Sequence, residues 1–301
     1  MPASQVGPRT NQNFLLSPGG SVSCRTTVLK GNRLFMYQDF KQLKITVEEN
    51  GIATVRIPTA GSVGRRQSEI HKEVASVWRH LDEDESVTVV IVTGAEDEFY
   101  RSANIQGLKS IPGLDKEQTF ELAQRLSKEG NDIVYGLINI DKPVIAAING
   151  AAEGGGLAIA LLSDISIAAE DARLVDPHIA MGLAAGDHAA MIWPLLCGMA
   201  KSKLYLLTSD PLSGSEAERI GLVSLAVSSE EIMDVARDYA VRLAEGSNFA
   251  IRFTKRALNQ WLRLGGITSH DYSSALELLN FFGPELGEAV DKAHQTEEHE
   301  N

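Results

Sequence analysis

KPVIAAINGAAEGGGLAIALLSD, residues 142–164, decides the fold. Pro143–Ile148 is a short apolar run bounded by Pro and by Asn149-Gly150, the pattern of a strand buried on both faces. Gly154-Gly155-Gly156 then opens a short apolar helix, and DISIAAED (Asp164–Asp171) supplies the next strand. Strand, helix, strand in this order points to an α/β fold with right-handed crossovers. Three glycines at a helix start present backbone N–H groups with no side chain in the way, at the positive end of the macrodipole. Such a place can hold a phosphate, a carboxylate or a developing oxyanion. The same glycines could instead serve close helix–sheet packing. There is no GKS/T and no GxGxxG, so neither a Walker loop nor a dinucleotide fold is supported.

The alternation extends outward on both sides. LKITVEEN and GIATVRIP (Leu43–Pro58) read as a hairpin turning at Glu49-Asn50-Gly51. VTVVIVTG (Val87–Gly94) reads as a buried parallel strand whose end leads into a loop through Phe99–Ile105, and strand ends often line sites. Between them Ile70, Val74, Val77, Trp78 and Leu81 recur at helical spacing. Phe120–Ile138 and Glu230–Leu243 show a similar period, and beyond Thr208 the chain reads as mostly helical. Residues 1–33, rich in Ser, Pro, Gly and Thr, read as a loosely ordered arm, and 291–301 as a polar acidic tail. The organisation expected is a core over 34–250 and a helical region over 251–290.

Composition narrows the function. The 301 residues carry a formal charge of −12, with 44% hydrophobic and 23% charged residues. That suits a globular enzyme and argues against nucleic-acid and polybasic membrane-surface partners. The longest apolar stretch, Val144–Ala169, is broken by Asn149, Glu153, Asp164 and four glycines, so no membrane span is expected. The two cysteines, Cys24 and Cys197, form no disulfide framework or zinc pattern. With no apolar core in MPASQVGPRTNQNF, a cytoplasmic protein is expected.

A second motif is VDPHIAMGLAAGDHAAMIWP, Val175–Pro194. On one continuous helix, His178 and Asp187 would lie roughly 13 Å apart along the axis. Gly182 and Ala184-Ala185-Gly186 suggest instead a loop that folds back and brings them together. A His oriented by a carboxylate is a general base near neutral pH. The alternative is structural, with Asp187 as a helix N-cap and His178 as a loop histidine. His188 is expected to point away from its neighbour Asp187.

VTGAEDEF, KPVIAAINGAAEGGG, SDISIAAEDARL and SGSEAERIGLVSLAV, in this order and spacing, resemble the crotonase (enoyl-CoA hydratase/isomerase) superfamily. The resemblance covers roughly 38–257 and implies a ββα superhelix with a helical C-terminal trimerisation region, in a homotrimer or dimer of trimers. It also implies an oxyanion hole from the backbone N–H groups of Ala103 and Gly155, although Ser102-Ala103-Asn104 stands where Gly-Ala-Asp is usual. Both hydratase carboxylates are absent: their positions hold Ala158 and, after Pro177, His178. A Lys that helps bind coenzyme A is replaced by Gln106. PHIAMGLAAGDHAAMIWP followed by KLYLLTSDPLSGSEAERIGLV is most similar to the 6-oxocamphor hydrolase branch, which cleaves C–C bonds of β-diketones. That similarity places catalytic residues at His178, Asp187, His71 and Glu277. It implies a small diketone substrate in preference to a CoA ester, and no cofactor or metal. The glycine motif, altered in the camphor-type enzyme, is intact here.

Overall fold

A computed structural model of the chain describes residues 37–59, 65–102 and 113–300. The N-terminal arm, Ala103 and Gln106 lie outside them. The hairpin read from Leu43–Pro58 is present: β1 (Lys44–Val47) pairs antiparallel with β2 (Ile52–Ile57), Lys44 opposite Arg56. Helix α1 (Arg65–Glu83) follows, and its stripe Ile70, Val74, Val77, Trp78 and Leu81 is buried. Every residue of β3 (Val89–Gly94) is buried, and it runs parallel to β2. After a tight corner comes β4 (Glu98–Arg101), then α2 (Lys116–Asn139), started by an Asp115–Gln118 capping box.

The same unit repeats. β5 (Val144–Ile148) lies parallel to β3, turns into β6 (Ala151–Glu153), and feeds α3 (Gly155–Leu162). β7 (Ile165–Ala169) and β8 (Arg173–Val175) begin the next turn, which ends in α4 (Ala189–Thr208). Then follow β9 (Leu212–Ser213), α5 (Gly214–Arg219), β10 (Leu225–Val227) and α6 (Ile232–Ala244). The first strands of each unit join one sheet, in the order β1-β2-β3-β5-β7-β10, and the second strands build another, β4-β6-β8-β9. This is the ββα superhelix expected. Its corners stack closely: a Cβ on Gly150 would lie 1.7 Å from the Asp97 carbonyl oxygen, so only glycine fits at that turn.

The C-terminal region is helical, comprising α7 (Asn248–Gly265), a π-helical turn (Gly266–His270), α8 (Asp271–Asn280) and α9 (Glu285–Glu300). The tail read from 291 onward is the continuation of α9. Leu286 and Val290 are buried, and Leu286 joins a satellite core with Met181, Leu183 and Phe281, which pins the start of that helix. The polar residues beyond prolong an element anchored by its first turns. Helices α4, α7 and α8 expose large apolar side chains, among them Leu207, Phe253, Trp261 and Leu279. Among the described residues no helix is long and apolar enough to cross a membrane.

Candidate active site

The loop from β8 to α4 does fold back. His178 begins a single 3-10 turn, Ile179–Met181, which Gly182 ends in the left-handed conformation. The loop then docks on α8: Ala184 N–H donates to Asn280 Oδ1 at 2.9 Å, and Ser273 Oγ donates to the Gly186 carbonyl at 2.8 Å. Gly186 lies so close to α8 that a Cβ there would stand 2.6 Å from Glu277 Cβ. This docking brings Asp187 and Glu277 to one nitrogen of His178. Nε2 lies 3.8 Å from Asp187 Oδ2 and 3.6 Å from Glu277 Oε1. Both are beyond direct hydrogen bonding.

The carboxylate that orients His178 is Asp176, which corrects the expectation that Asp187 sets its tautomer. Asp176 Oδ1 accepts from Nδ1 at 2.8 Å, so a neutral imidazole keeps its lone pair on Nε2. Asp187 is itself held from behind by His188, whose Nδ1 lies 2.5 Å from Asp187 Oδ1. His188, expected to point away, therefore belongs to the cluster and is fully buried. His188, Asp187, His178 and Asp176 thus alternate imidazole and carboxylate, with Glu277 on the flank.

Electrostatics follow from this packing. Burial works against a charged His178, but the charges of Asp176 and Asp187, the hydrogen bond to Asp176 and the nearby Glu277 outweigh it, holding its pKa well above 6.5. For Asp187, burial is overcome by the charges of His188 and His178, and the carboxyl is lowered. Glu277 is raised, first by burial and then by the neighbouring Asp187 and Asp176 charges. Asp176, His178 and Asp187 offer ligand atoms within 4.8 Å of one another, a donor set that would also accept a divalent cation.

His71 lies near the start of α3. It sits on the face of α1 that packs on α2, and its Nδ1 lies 2.8 Å from Glu129 Oε2, on a largely buried carboxylate. Its Nε2 lies 3.8 Å from the point a Cβ on Gly155 would occupy. Gly155, the first residue of α3, donates its N–H to Ser102 Oγ at 2.5 Å. Below it, Glu153 is buried and paired with Arg101 at 3.2 Å and with Arg173, which fixes the end of β6. The structure thus brings His178, Asp187 and Glu277 together, and His71 and Gly155 together.

The enoyl-CoA hydratase/isomerase profile matches residues 48–277. The chain belongs to the enoyl-CoA hydratase/isomerase family. A short-chain-enoyl-CoA hydratase from Clostridium acetobutylicum is 31% identical over 220 residues, covering 73% of this chain and 82% of its own. An enoyl-CoA hydratase/isomerase from Mycobacterium paratuberculosis superposes with a TM-score of 0.76 at 27% identity, over 83% of this chain and 98% of that one. A β-diketone hydrolase from the cyanobacterium Anabaena, bound to (S)-3-oxocyclohexyl acetic acid, superposes with a TM-score of 0.72, also at 27% identity, over 82% and 96%.

Within this family fold, neither position that the resemblance assigns to a hydratase carboxylate holds one. Ala158 is buried in α3, and His178 stands at the other. Asp176, His188 and Glu129 were missed by reading the sequence. Asp176 could have been found two residues from His178, and Glu129 as a carboxylate four residues before Ile133, on the buried face of α2.

Proposed function

We propose that the protein hydrolyses a C–C bond of a β-diketone by a retro-Claisen reaction. The observation that carries this reading is the buried His178, oriented by Asp176, with Nε2 facing Asp187 and Glu277 across gaps of 3.8 and 3.6 Å. A histidine so placed can activate a water molecule, whereas hydration of an enoyl thioester by a carboxylate pair has lost both its carboxylates. The β-diketone hydrolase among the structural neighbours supports the same reading.

In this mechanism Nε2 of neutral His178 takes a proton from water as the water oxygen bonds to one carbonyl carbon. The imidazolium formed is stabilised by Asp176, Asp187 and Glu277. The tetrahedral intermediate collapses to a carboxylic acid, and the bond to the central carbon breaks, leaving its electron pair on an enolate. The enolate oxygen is held at the start of α3 beside His71, and the proton that His178 took from water passes by way of Glu277, 3.6 Å from Nε2, to the central carbon, which returns it to a ketone. One water is consumed, and no electron donor or acceptor is needed. General base action supplies roughly 10²–10⁴ in rate. The exposed apolar residues of α4, α7 and α8 are assigned to contacts between copies of the chain, in a homotrimer or dimer of trimers.

The test is a screen of cyclic β-diketones beside enoyl-CoA thioesters, followed by mass spectrometry. Ring opening with gain of one water, abolished in His178→Ala, is expected for the diketones. Hydration of enoyl-CoA with inert diketones would overturn the reading.

A further inference from the structure

The π-helical turn Gly266–His270 packs along the segment that carries Asp187 and His188. Such turns are rare and gather at functional sites. Two serines of this region, Ser269 and Ser273, donate to main-chain carbonyls of that one short segment. Ser269 Oγ reaches the Ala190 carbonyl at 3.2 Å, and Ser273 Oγ the Gly186 carbonyl at 2.8 Å. Between the serines in sequence lies His270, which is fully buried. Its Nε2 lies 2.7 Å from Asn131 Oδ1 on α2, and its ring packs edge-on to Tyr135 one helical turn further along. Tyr135 in turn donates to Asp271 Oδ1 at 2.6 Å. Burial lowers the pKa of His270, and the charges of Asp187, Asp271 and His188 also act on it. The ring is thus wedged between α2 and the 186–190 segment. Its Nδ1 is buried without a hydrogen-bond partner among the described residues, as is Nε2 of His188. A buried polar atom left unpaired costs about 1–3 kcal/mol, a cost that an apolar ring of the same shape would not carry.

We propose that His270 is a positioning residue: braced on Asn131, it holds the segment that carries Asp187 and His188, and so keeps Asp187 facing His178. That Asp187 serves diketone cleavage rests on the function proposed above; the brace itself does not.

The experiment uses the full chain and two readouts. The first needs no substrate. The proton between His188 Nδ1 and Asp187 Oδ1, atoms 2.5 Å apart on a fully buried ring, should give a far-downfield proton resonance. Its absence from His188→Phe assigns it. His270→Phe, which keeps a ring against Tyr135, should shift or lose the resonance. Tyr135→Phe, which removes the bond to Asp271 from the same turn and leaves His270 in place, should retain it. Asn131→Leu removes the brace from the other side and serves if His270→Phe does not fold. No such resonance in wild type, or an unchanged one in His270→Phe or Asn131→Leu, overturns the assignment.

The second readout is diketone cleavage. His270→Phe should lower kcat by about 10–10² with KM nearly unchanged, the effect of a misplaced catalytic group. Its alkaline limb should move to lower pH, because Asp187 no longer supports the charge on His178. Tyr135→Phe should leave both in place. A merely structural His270 would lower the melting temperature, as Tyr135→Phe does, and leave the limb unmoved. A resonance that depends on His270, in a protein that cleaves no diketone, would sink the retro-Claisen reading and leave the brace standing. Cleavage whose limb ignores His270 would do the reverse.

Discussion

The molecule contains two histidine–carboxylate pairs built alike and set in opposite surroundings. In both, a buried carboxylate takes Nδ1 at 2.8 Å, Asp176 for His178 and Glu129 for His71, and so turns Nε2 toward the site. Beyond His178 Nε2 stand two more carboxylates, Asp187 and Glu277. Beyond His71 Nε2 stands the glycine start of α3, with its N–H and the Ser102 hydroxyl. The first setting stabilises an imidazolium and suits proton removal from water. The second lies at the positive end of a helix and suits a developing negative oxygen. In the reaction proposed above, attack by water and departure of the enolate would have separate electrostatic environments, and what separates them is the partner beyond Nε2.

The sharpest way to break that division is to remove the base. His178→Ala should lower the kcat of diketone cleavage by about 10²–10⁴, as expected for loss of a general base. Steady-state kinetics on a diketone that wild type cleaves measures it. A loss no greater than that of Glu129→Gln would mean that the two pairs are not specialised as described.

A smaller effect concerns pH. The raised pKa of His178 means that its neutral, proton-accepting form accumulates only well above 6.5, the ordinary imidazole value. The rate should therefore climb with pH on an alkaline limb. Asp187→Asn removes one of the anions that raise His178, so its limb should move to lower pH even as the maximal rate falls. The sign for stability is opposite. A group raised on folding stabilises the fold fully below its unfolded value, and that contribution fades as pH rises through the folded value. Thermal melts of wild type and Asp187→Asn across this window should converge toward the alkaline end. A limb that stays in place in Asp187→Asn would remove Asp187 from the cluster's electrostatics.

At the second pair the change should be milder. Glu129→Gln keeps the shape but weakens the acceptor on Nδ1. The expected loss in kcat is below about 10²-fold, with the alkaline limb of His178 unmoved and partial recovery in Glu129→Asp. A shifted limb would couple the two histidine–carboxylate pairs.

Much of this arrangement is legible in the sequence because it is local. β5 and α3 follow from an apolar run ended by Asn149-Gly150 and from three successive glycines. The return of the 178–187 loop follows from Gly182, which takes a positive φ of 72°. What resists reading is side-chain direction between near neighbours. His178 lies in the helical region at φ −55°, which lets Nδ1 reach back two residues to Asp176. His188 has φ −153° and ψ −30°, a non-helical cap that turns it toward Asp187, against the rule that adjacent residues diverge. Glu129 looks like one more helix charge until α1 is packed over it. Glu277 depends on α8 meeting a loop some ninety residues earlier, a contact no local pattern encodes.

That last contact supplies the finest test of the comparison, because it reaches the His178 pocket alone. Gly186 touches Glu277 and the Ser273 carbonyl so closely that a methyl group there would lie 2.4 Å from the Ser273 oxygen and 2.9 Å from Glu277 Oε2. Backbone cannot yield as a flexible side chain can, so Gly186→Ala must push the loop from α8. The expected cost is about 1–3 kcal/mol, typical of overpacking a tight contact, measured by denaturant unfolding. Asp187, one residue on, would move with the loop, so the alkaline limb should shift in the same direction as in Asp187→Asn. A limb that stays in place would show that Asp187 does not follow the loop.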